Sequence, residues 1–262
     1  MPPIKTTSRF TGARGCVSDI ATLALRVPLF PVDRVIQLAP LAEARAACSV
    51  RIGWAAIFLK AYALVAREMP VLRSWFSGGL FPRLVTVPHT VATLAVNRTD
   101  AAMGDRLLFA RLCKPEAESL VEIQRFIHDC TTEPFDKMFK RQLQLEMVPG
   151  PLRRTILRWN MQSRSAKRAS RIGTFSLSTL AGQGATNRFH PTLCTTSLSY
   201  APLESDGRCM VTLIADHRVL DGAVVARALQ WLEQALQTDI AAELIALRSA
   251  PPAAVAPQRA AA

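Results

Sequence analysis

The stretch ADHRVLDGA, residues 215–223, sets His217 and Asp221 four apart and follows them with Gly222. An imidazole titrates near neutrality, so a placed histidine is the usual general base for a thiol, hydroxyl or amine. The preceding RCMVTLIA (208–215) reads as a continuous apolar strand, and about 222–237 reads as a helix. Strand-to-helix turns present side chains at a sheet edge, where sites are often built. On these residues alone His217 has two readings, a packed histidine or a base. Asp221 has two as well. It could cap the helix, worth about 1 kcal/mol, or hold the turn as an ion-pair partner. Gly222 permits close approach of backbone.

A second constellation lies upstream. IGTFSLSTL (172–180) reads as a strand, and its period of two puts Thr174, Ser176 and Ser178 on one face. Three hydroxyls on one face are either a wet surface or the lining of a polar site. An oxyanion donor on such a face would be worth about 10²–10³ in rate. The six cysteines show no metal-ligand spacing and fall mostly in apolar runs, and the four histidines do not cluster. No metal site is expected, and the cysteines read as reduced and buried.

The elements that must position these residues belong to a chain of 262 residues, half of them apolar, long enough for a sizeable core. A net charge of +12 suits nucleic acid, acidic lipid, an acidic carrier protein or a polyphosphorylated cofactor. No zinc finger, RNA-recognition motif or basic–aromatic interleaving supports nucleic acid. The N-terminus has no apolar signal region, and the apolar window 52–66 is broken by Lys60 and too short to span a bilayer. A cytoplasmic protein, at most peripheral to a membrane, is expected.

Residues 1–12 read as a flexible arm, 18–25 as a short helix capped by Ser18, and 34–47 and 53–69 as helices. Strands are expected at 89–98 and 106–112, and a helix at 114–130 with proline at its start. The helical stretch 134–169 is interrupted by VPGP at 148–151. Strands follow at 172–180, 193–201 and 208–215. The tail from 248 is proline- and alanine-rich and reads as disordered. The late strands run consecutively, which points to an α+β fold with a mixed or antiparallel sheet covered by helices. No glycine-rich phosphate loop is present.

DHRVLDGA (216–223) resembles the His-x-x-x-Asp-Gly motif of the dihydrolipoamide acyltransferase catalytic domain of 2-oxoacid dehydrogenase complexes. The wider group includes chloramphenicol acetyltransferase and peptide-synthetase condensation domains. GTFSLSTLAGQGA (173–185) resembles that family's Gly-Thr-Phe-Thr-Ile-Ser strand, and 13–30 and 50–76 resemble its N-terminal segment and first long helix. The likeness covers roughly 13–247. It implies a chloramphenicol-acetyltransferase-like two-layer sandwich, a mixed sheet with covering helices. It also implies trimers or higher multiples of three, with the active site between subunits. His217 would then be the base, and Ser178 of a neighbouring subunit the oxyanion donor. Asp221 would be structural, paired with Arg14. Thr174 and Ser176 would be substrate-channel candidates. No tightly bound cofactor is implied; coenzyme A or a carrier protein's phosphopantetheine would enter as substrate.

Departures from the pattern bear on the substrate. The chain begins directly in the catalytic-domain likeness, without a lipoyl domain or subunit-binding domain. The expectation is therefore a stand-alone thioester-dependent acyltransferase. The alternatives are a dihydrolipoamide acyltransferase core using lipoyl domains of another chain, and a non-catalytic scaffold. The family's Asp-Gly-Leu-x-x-Pro-Val-Ile segment is replaced by AMGDRLLFARL (102–112). From 153 to 171 there are seven basic residues and no acidic one. On a helix Leu152, Ile156 and Trp159 align, with Arg154 and Arg158 towards the other side. This stretch is either a solvated basic face over a core stripe or a dock for an acyl carrier protein, coenzyme A phosphates or an anionic membrane surface through 152–171.

Overall fold

Alternation along each strand sorts the central sheet into two unlike faces. A computed structural model describes residues 12–100 and 104–249. The strands are β1 (Leu29–Gln37), β2 (Ser74–Ser77), β3 (Arg83–Thr86), β4 (Val91–Asp100), β5 (Gly104–Cys113), β6 (Phe175–Leu177), β7 (Thr196–Tyr200) and β8 (Arg208–Asp216). Six of them form one sheet in the order β1-β8-β7-β6-β4-β5, and β2 and β3 form a separate hairpin. The pairs β4·β6 and β6·β7 are parallel, and the other pairs of the large sheet are antiparallel. The sheet is mixed, as expected.

One face is apolar. Phe175 and Leu177 of β6, Leu198 of β7 and Val211, Leu213 and Ala215 of β8 are all buried. Against them lies α3 (Trp54–Glu68), a helix apolar nearly all round with nine of its fifteen residues buried. Its Phe58 stacks on Tyr200 at 4.3 Å between centroids, and its Tyr62 meets Phe175 at 4.8 Å. The Tyr62 hydroxyl donates to Thr196 Oγ1 at 2.8 Å, so the one polar atom of that ring is satisfied in the core. Helix α8 (Gly222–Ala235) completes the layer through Val225, Ala228, Leu229 and Leu232. A π turn (Leu236–Ile240) joins it to α9 (Ala241–Ser249).

The other face is covered by the loop at 179–193 over β6 and β7, and by helices over β4 and β5. Helices α1 (Gly12–Ala24), α5 (Phe135–Met147) and α6 (Gly150–Gln162) pack there. Gln142 of α5 accepts from Phe109 N at 2.9 Å and donates to Leu107 O at 3.0 Å. It thereby occupies the open edge of β5, where unpaired backbone would otherwise template association. A buried ion pair, Arg153 Nε to Asp19 Oδ2 at 2.7 Å, ties α6 to α1.

Several local expectations are corrected. Residues 34–37 are strand because they pair with β8, and burial alternates along them: Ile36 is buried while Val35 is exposed. Pairing with β8 runs in register over the whole of β1. Pro31 is tolerated there because β1 is an edge strand. The helical part of that stretch is only α2 (Ala39–Ala46). Ser18 sits inside α1, which begins at Gly12, and caps nothing. In 114–130, Pro115–Ala117 is a 3₁₀ turn. The long helix α4 (Leu120–Thr132) starts at a Ser119–Glu122 capping box. The expected strand at 172–180 shrinks to β6, preceded by α7 (Lys167–Ile172). On α6, Leu152 and Trp159 are 54% and 63% exposed rather than core, while Arg153 and Leu157 are buried. Cys113 is exposed, unlike the buried Cys16, Cys130, Cys194 and Cys209. The expected arm at 1–12 and tail at 248–262 lie almost wholly outside the described residues. No described helix is long and apolar enough to cross a membrane.

The chain enters β6 through Gly173, whose φ is +103°. A Cβ there would stand 2.3 Å from Thr93 Oγ1. Gly173→Ala should therefore destabilise the fold by about 2 kcal/mol or more, through both the left-handed backbone and the clash. Urea denaturation reads this directly, and an unchanged midpoint would show that β6 is not fixed by this glycine.

Candidate active site

His217 stands on the first residue after β8. Its backbone N–H donates to Pro28 O at 2.9 Å, which pins the turn to the chain entering β1. The turn is braced from within. Asp216 is buried and takes a two-pronged ion pair from Arg218, Nε to Oδ1 at 2.9 Å and Nη2 to Oδ2 at 2.6 Å. Asp216 Oδ1 also accepts from Arg218 N at 3.0 Å. A paired, bidentate carboxylate can stay charged out of water. The Arg218 guanidinium lies 4.7 Å from the Phe76 ring centroid, and Leu220 plugs the core. The His217 ring packs on Phe30, 4.5 Å between centroids and 41° apart. Its side chain is still 56% exposed. The packed-histidine reading is half right: one ring face is packed, and the rest is open.

Asp221 occupies the N-cap position of α8, yet its side chain makes no cap hydrogen bond. It is 84% exposed, and its Oδ1 lies 3.7 Å from His217 Nδ1. Asp221 thus faces the His217 ring across the turn instead of capping α8. A Cβ at Gly222 would meet open space, so nothing among the described residues demands glycine there.

The hydroxyl face is not a wet surface. Thr174 and Ser176 are buried. Thr174 Oγ1 donates to Val91 O at 3.1 Å and accepts from Val91 N at 3.0 Å, a structural stitch. Ser178 is half-buried and lines a cavity of about 310 Å³ together with Ser176. No side-chain hydrogen bond of Ser178 occurs among the described residues; its backbone N–H donates to Leu198 O at 3.0 Å.

Sequence reasoning missed the group behind Ser176. Ser176 Oγ donates to Ser197 Oγ at 2.7 Å and also meets Thr192 Oγ1 at 3.1 Å. His190 Nε2 lies 2.7 Å from Ser197 Oγ, and Asn187 Nδ2 lies 3.1 Å from His190 Nδ1. An amide nitrogen only donates, so Nδ1 accepts and Nε2 carries the proton toward Ser197. The one available signal was the period of two in TTSLS, which puts Ser197 on the face of its neighbours Thr195 and Ser199. Nothing in the spacing points to His190, because the loop at 179–193 folds it back over the sheet.

Within one chain these residues form two groups. His217, Asp221 and Gly222 lie at one end of the sheet. Thr174, Ser176 and Ser178 run along β6 beneath α1, the helix that carries Arg14. The register aligns Ser178 with Ser199 and Thr212, five residues before His217. That is about 16 Å along the strands and about 10 Å across them. The pair cannot meet in a single chain. No group of metal-ligating side chains occurs among the described residues.

Burial pushes the His190 imidazole down from 6.5 to about 4. The fold thus holds it neutral, whereas the unfolded chain takes up a proton below about pH 6.5. Stability should fall as pH drops from about 6.5 to about 4, and this part of the slope should vanish in His190→Gln. Thermal denaturation across that window checks it, and parallel curves for the two proteins would refute the buried-neutral assignment.

No family model and no curated protein matches the sequence. Solved structures do match. The dihydrolipoamide acetyltransferase of Azotobacter vinelandii is 19% identical, over 93% of this chain and 98% of that one, with a TM-score of 0.67. That enzyme was investigated for the role of a serine, a histidine and an asparagine four residues further on in its catalytic mechanism. The truncated catalytic core of the Thermoplasma acidophilum 2-oxoacid dehydrogenase multienzyme complex is 16% identical, over 89% and 99%, at 0.66. The cubic core of a pyruvate dehydrogenase multienzyme complex is 20% identical, over 93% and 98%, at 0.61. The chain therefore has the α+β fold of the dihydrolipoamide acyltransferase catalytic cores.

Proposed function

We propose that this protein is a thioester-dependent acyltransferase whose active site joins His217 of one subunit to Ser178 of another. The observation that carries the reading is the turn at the end of β8. It spends a buried bidentate ion pair and a ring contact on holding an imidazole that remains accessible. His217 and Asp221 have the spacing of the histidine and asparagine studied in the Azotobacter enzyme. The separation of His217 from Ser178 then calls for a second copy, in a closed ring such as a trimer. The open space over Gly222 leaves room for that copy to approach.

In this reaction His217 takes the proton from a thiol, hydroxyl or amine as that atom attacks the thioester carbonyl carbon. Ser178 of the neighbouring subunit donates to the oxygen that becomes negative. Collapse of the adduct expels the donor thiolate, which recovers the proton from the imidazolium. The Asp221 carboxylate stands 3.7 Å from His217 Nδ1, across the turn that carries the ring. Coenzyme A or a carrier phosphopantetheine supplies the thioester, and the net charge of +12 draws such phosphorylated donors in. A dihydrolipoamide acceptor is the form suggested by the fold's relatives.

The test is acyl transfer from acetyl-, succinyl- and octanoyl-coenzyme A to dihydrolipoamide and to alcohol and amine acceptors, read by mass spectrometry. His217→Ala should lower kcat by about 10²–10⁴ and Ser178→Ala by about 10²–10³. Dissociating the two inactive variants, mixing them equally and letting them reassemble should restore about one quarter of wild-type activity, because some interfaces then hold both intact residues. No recovery would place the site within one chain. Wild-type turnover that His217→Ala leaves unchanged would sink the acyltransferase reading.

A further inference from the structure

The cavity that Ser178 lines extends between β4 and β5 on one side and α1, α5 and α6 on the other. Its walls are largely apolar, with Ile20, Leu107, Phe109, Leu145 and Ile156 among them. Arg111, Arg141 and Arg171 also line it, and no carboxylate among the described residues does. Two acids on the surrounding helices are already committed, Asp19 of α1 to Arg153 and Glu146 of α5 to Arg106. Arg171 bonds Asn160 Oδ1 at 2.8 Å, and Arg141 reaches Ser170 O at 3.4 Å.

Among the described residues Arg111 finds almost no partner. Its Nε is buried without a hydrogen-bond partner, and Nη1 has only a long contact of 3.5 Å to Phe109 O. Burial, with some help from Arg141, pulls its guanidinium below the ordinary arginine range. A buried charge without a counter-ion is costly, and an arginine cannot shed its proton to escape that cost. An anion in the cavity would relieve it, and the apolar walls require the rest of that anion to be hydrocarbon.

We propose that this cavity binds the carboxylate of an apolar carboxylic acid, ion-paired to Arg111, with its chain along Leu107, Leu145 and Ile156. The binding does not depend on acyl transfer. The fork of a guanidinium matches a carboxylate with two parallel bonds, which an alcohol of the same length cannot supply.

Calorimetric titration of the full chain with sodium octanoate tests this. Octanoate should bind one per chain, and octan-1-ol and inorganic phosphate at least ten-fold more weakly. Arg111→Met should weaken octanoate at least ten-fold while its octanol affinity stays within a few-fold. Equal affinity for octanol or phosphate and octanoate, or no octanoate binding by the wild type, would overturn the proposal. So would an Arg111→Met protein that binds octanoate as the wild type does. Should that variant not fold, the wild-type comparison of the three ligands decides alone. A protein without acyl transfer that still binds octanoate through Arg111 separates this site from the reading of His217 and Ser178.

Discussion

The two-residue repeat of the six-stranded sheet is the constraint on which the rest depends. It delivers Phe175, Leu177, Leu198 and Leu213 to one face, where α3 and α8 bury them. By the same step it delivers Thr174, Ser176, Ser197, Ser199 and Thr212 to the other, where they are buried too. Buried hydroxyls cost free energy unless they are bonded. Thr212 is met by Asp33 of β1, Thr174 by the backbone of Val91, and Ser176 by Ser197 and, through it, His190. Ser199 Oγ has no partner among the described residues. The loop at 179–193 is therefore not a mere connection. It crosses back over the hydroxyl face because the parallel step from β6 to β7 needs a long return, and it carries the donors that make the face tolerable.

The same register separates the two candidate catalytic residues. Ser178 leaves β6 toward one end of the sheet, and His217 leaves β8 toward the other, since β6 and β8 run in opposite directions. No side-chain rotation spans that distance. A chain built this way either uses each group for something local or completes its site with another copy. The local uses are already filled by other residues: the turn is braced by Asp216 and Arg218, and Ser176 is satisfied by Ser197. His217 and Ser178 are the side chains left facing outward, one to solvent and one to a cavity.

What was legible in the sequence follows from range. The apolar strand, the histidine after it and the helix start are local, and local periodicity placed β8, the turn and α8 within a residue or two. The all-apolar α3 was equally plain. Residues 34–37 were misread because their strand character comes from pairing with β8 at the far end of the chain. Leu152 and Trp159 looked like a core stripe, but burial of α6 is set by Arg153 reaching Asp19, which turns the helix by part of a turn. His190 and Arg111 were invisible as functional candidates for the same reason. His190 matters through a loop that folds it onto Ser197, and Arg111 through a cavity that α1, α5 and α6 close over β5; neither sits in a pattern that composition or spacing separates from an ordinary residue.

Helices α1 and α6 shape one wall of the cavity. In α1, Cys16, Val17, Ile20 and Ala21 face it, and burial pushes the Cys16 thiol up to about 11, so that side chain acts as a small apolar wall. Helix α6 contributes Ile156, Leu157 and Asn160, and is fixed to α1 by a pair whose partners are both nearly inaccessible. Removing one member of such a pair typically costs about 3–5 kcal/mol, since the survivor is stranded. The cavity wall is thus held by an ion pair of its own, separate from the Asp216–Arg218 brace that holds His217. Two independent clamps let the turn that carries His217 stay fixed while the wall around Arg111 varies.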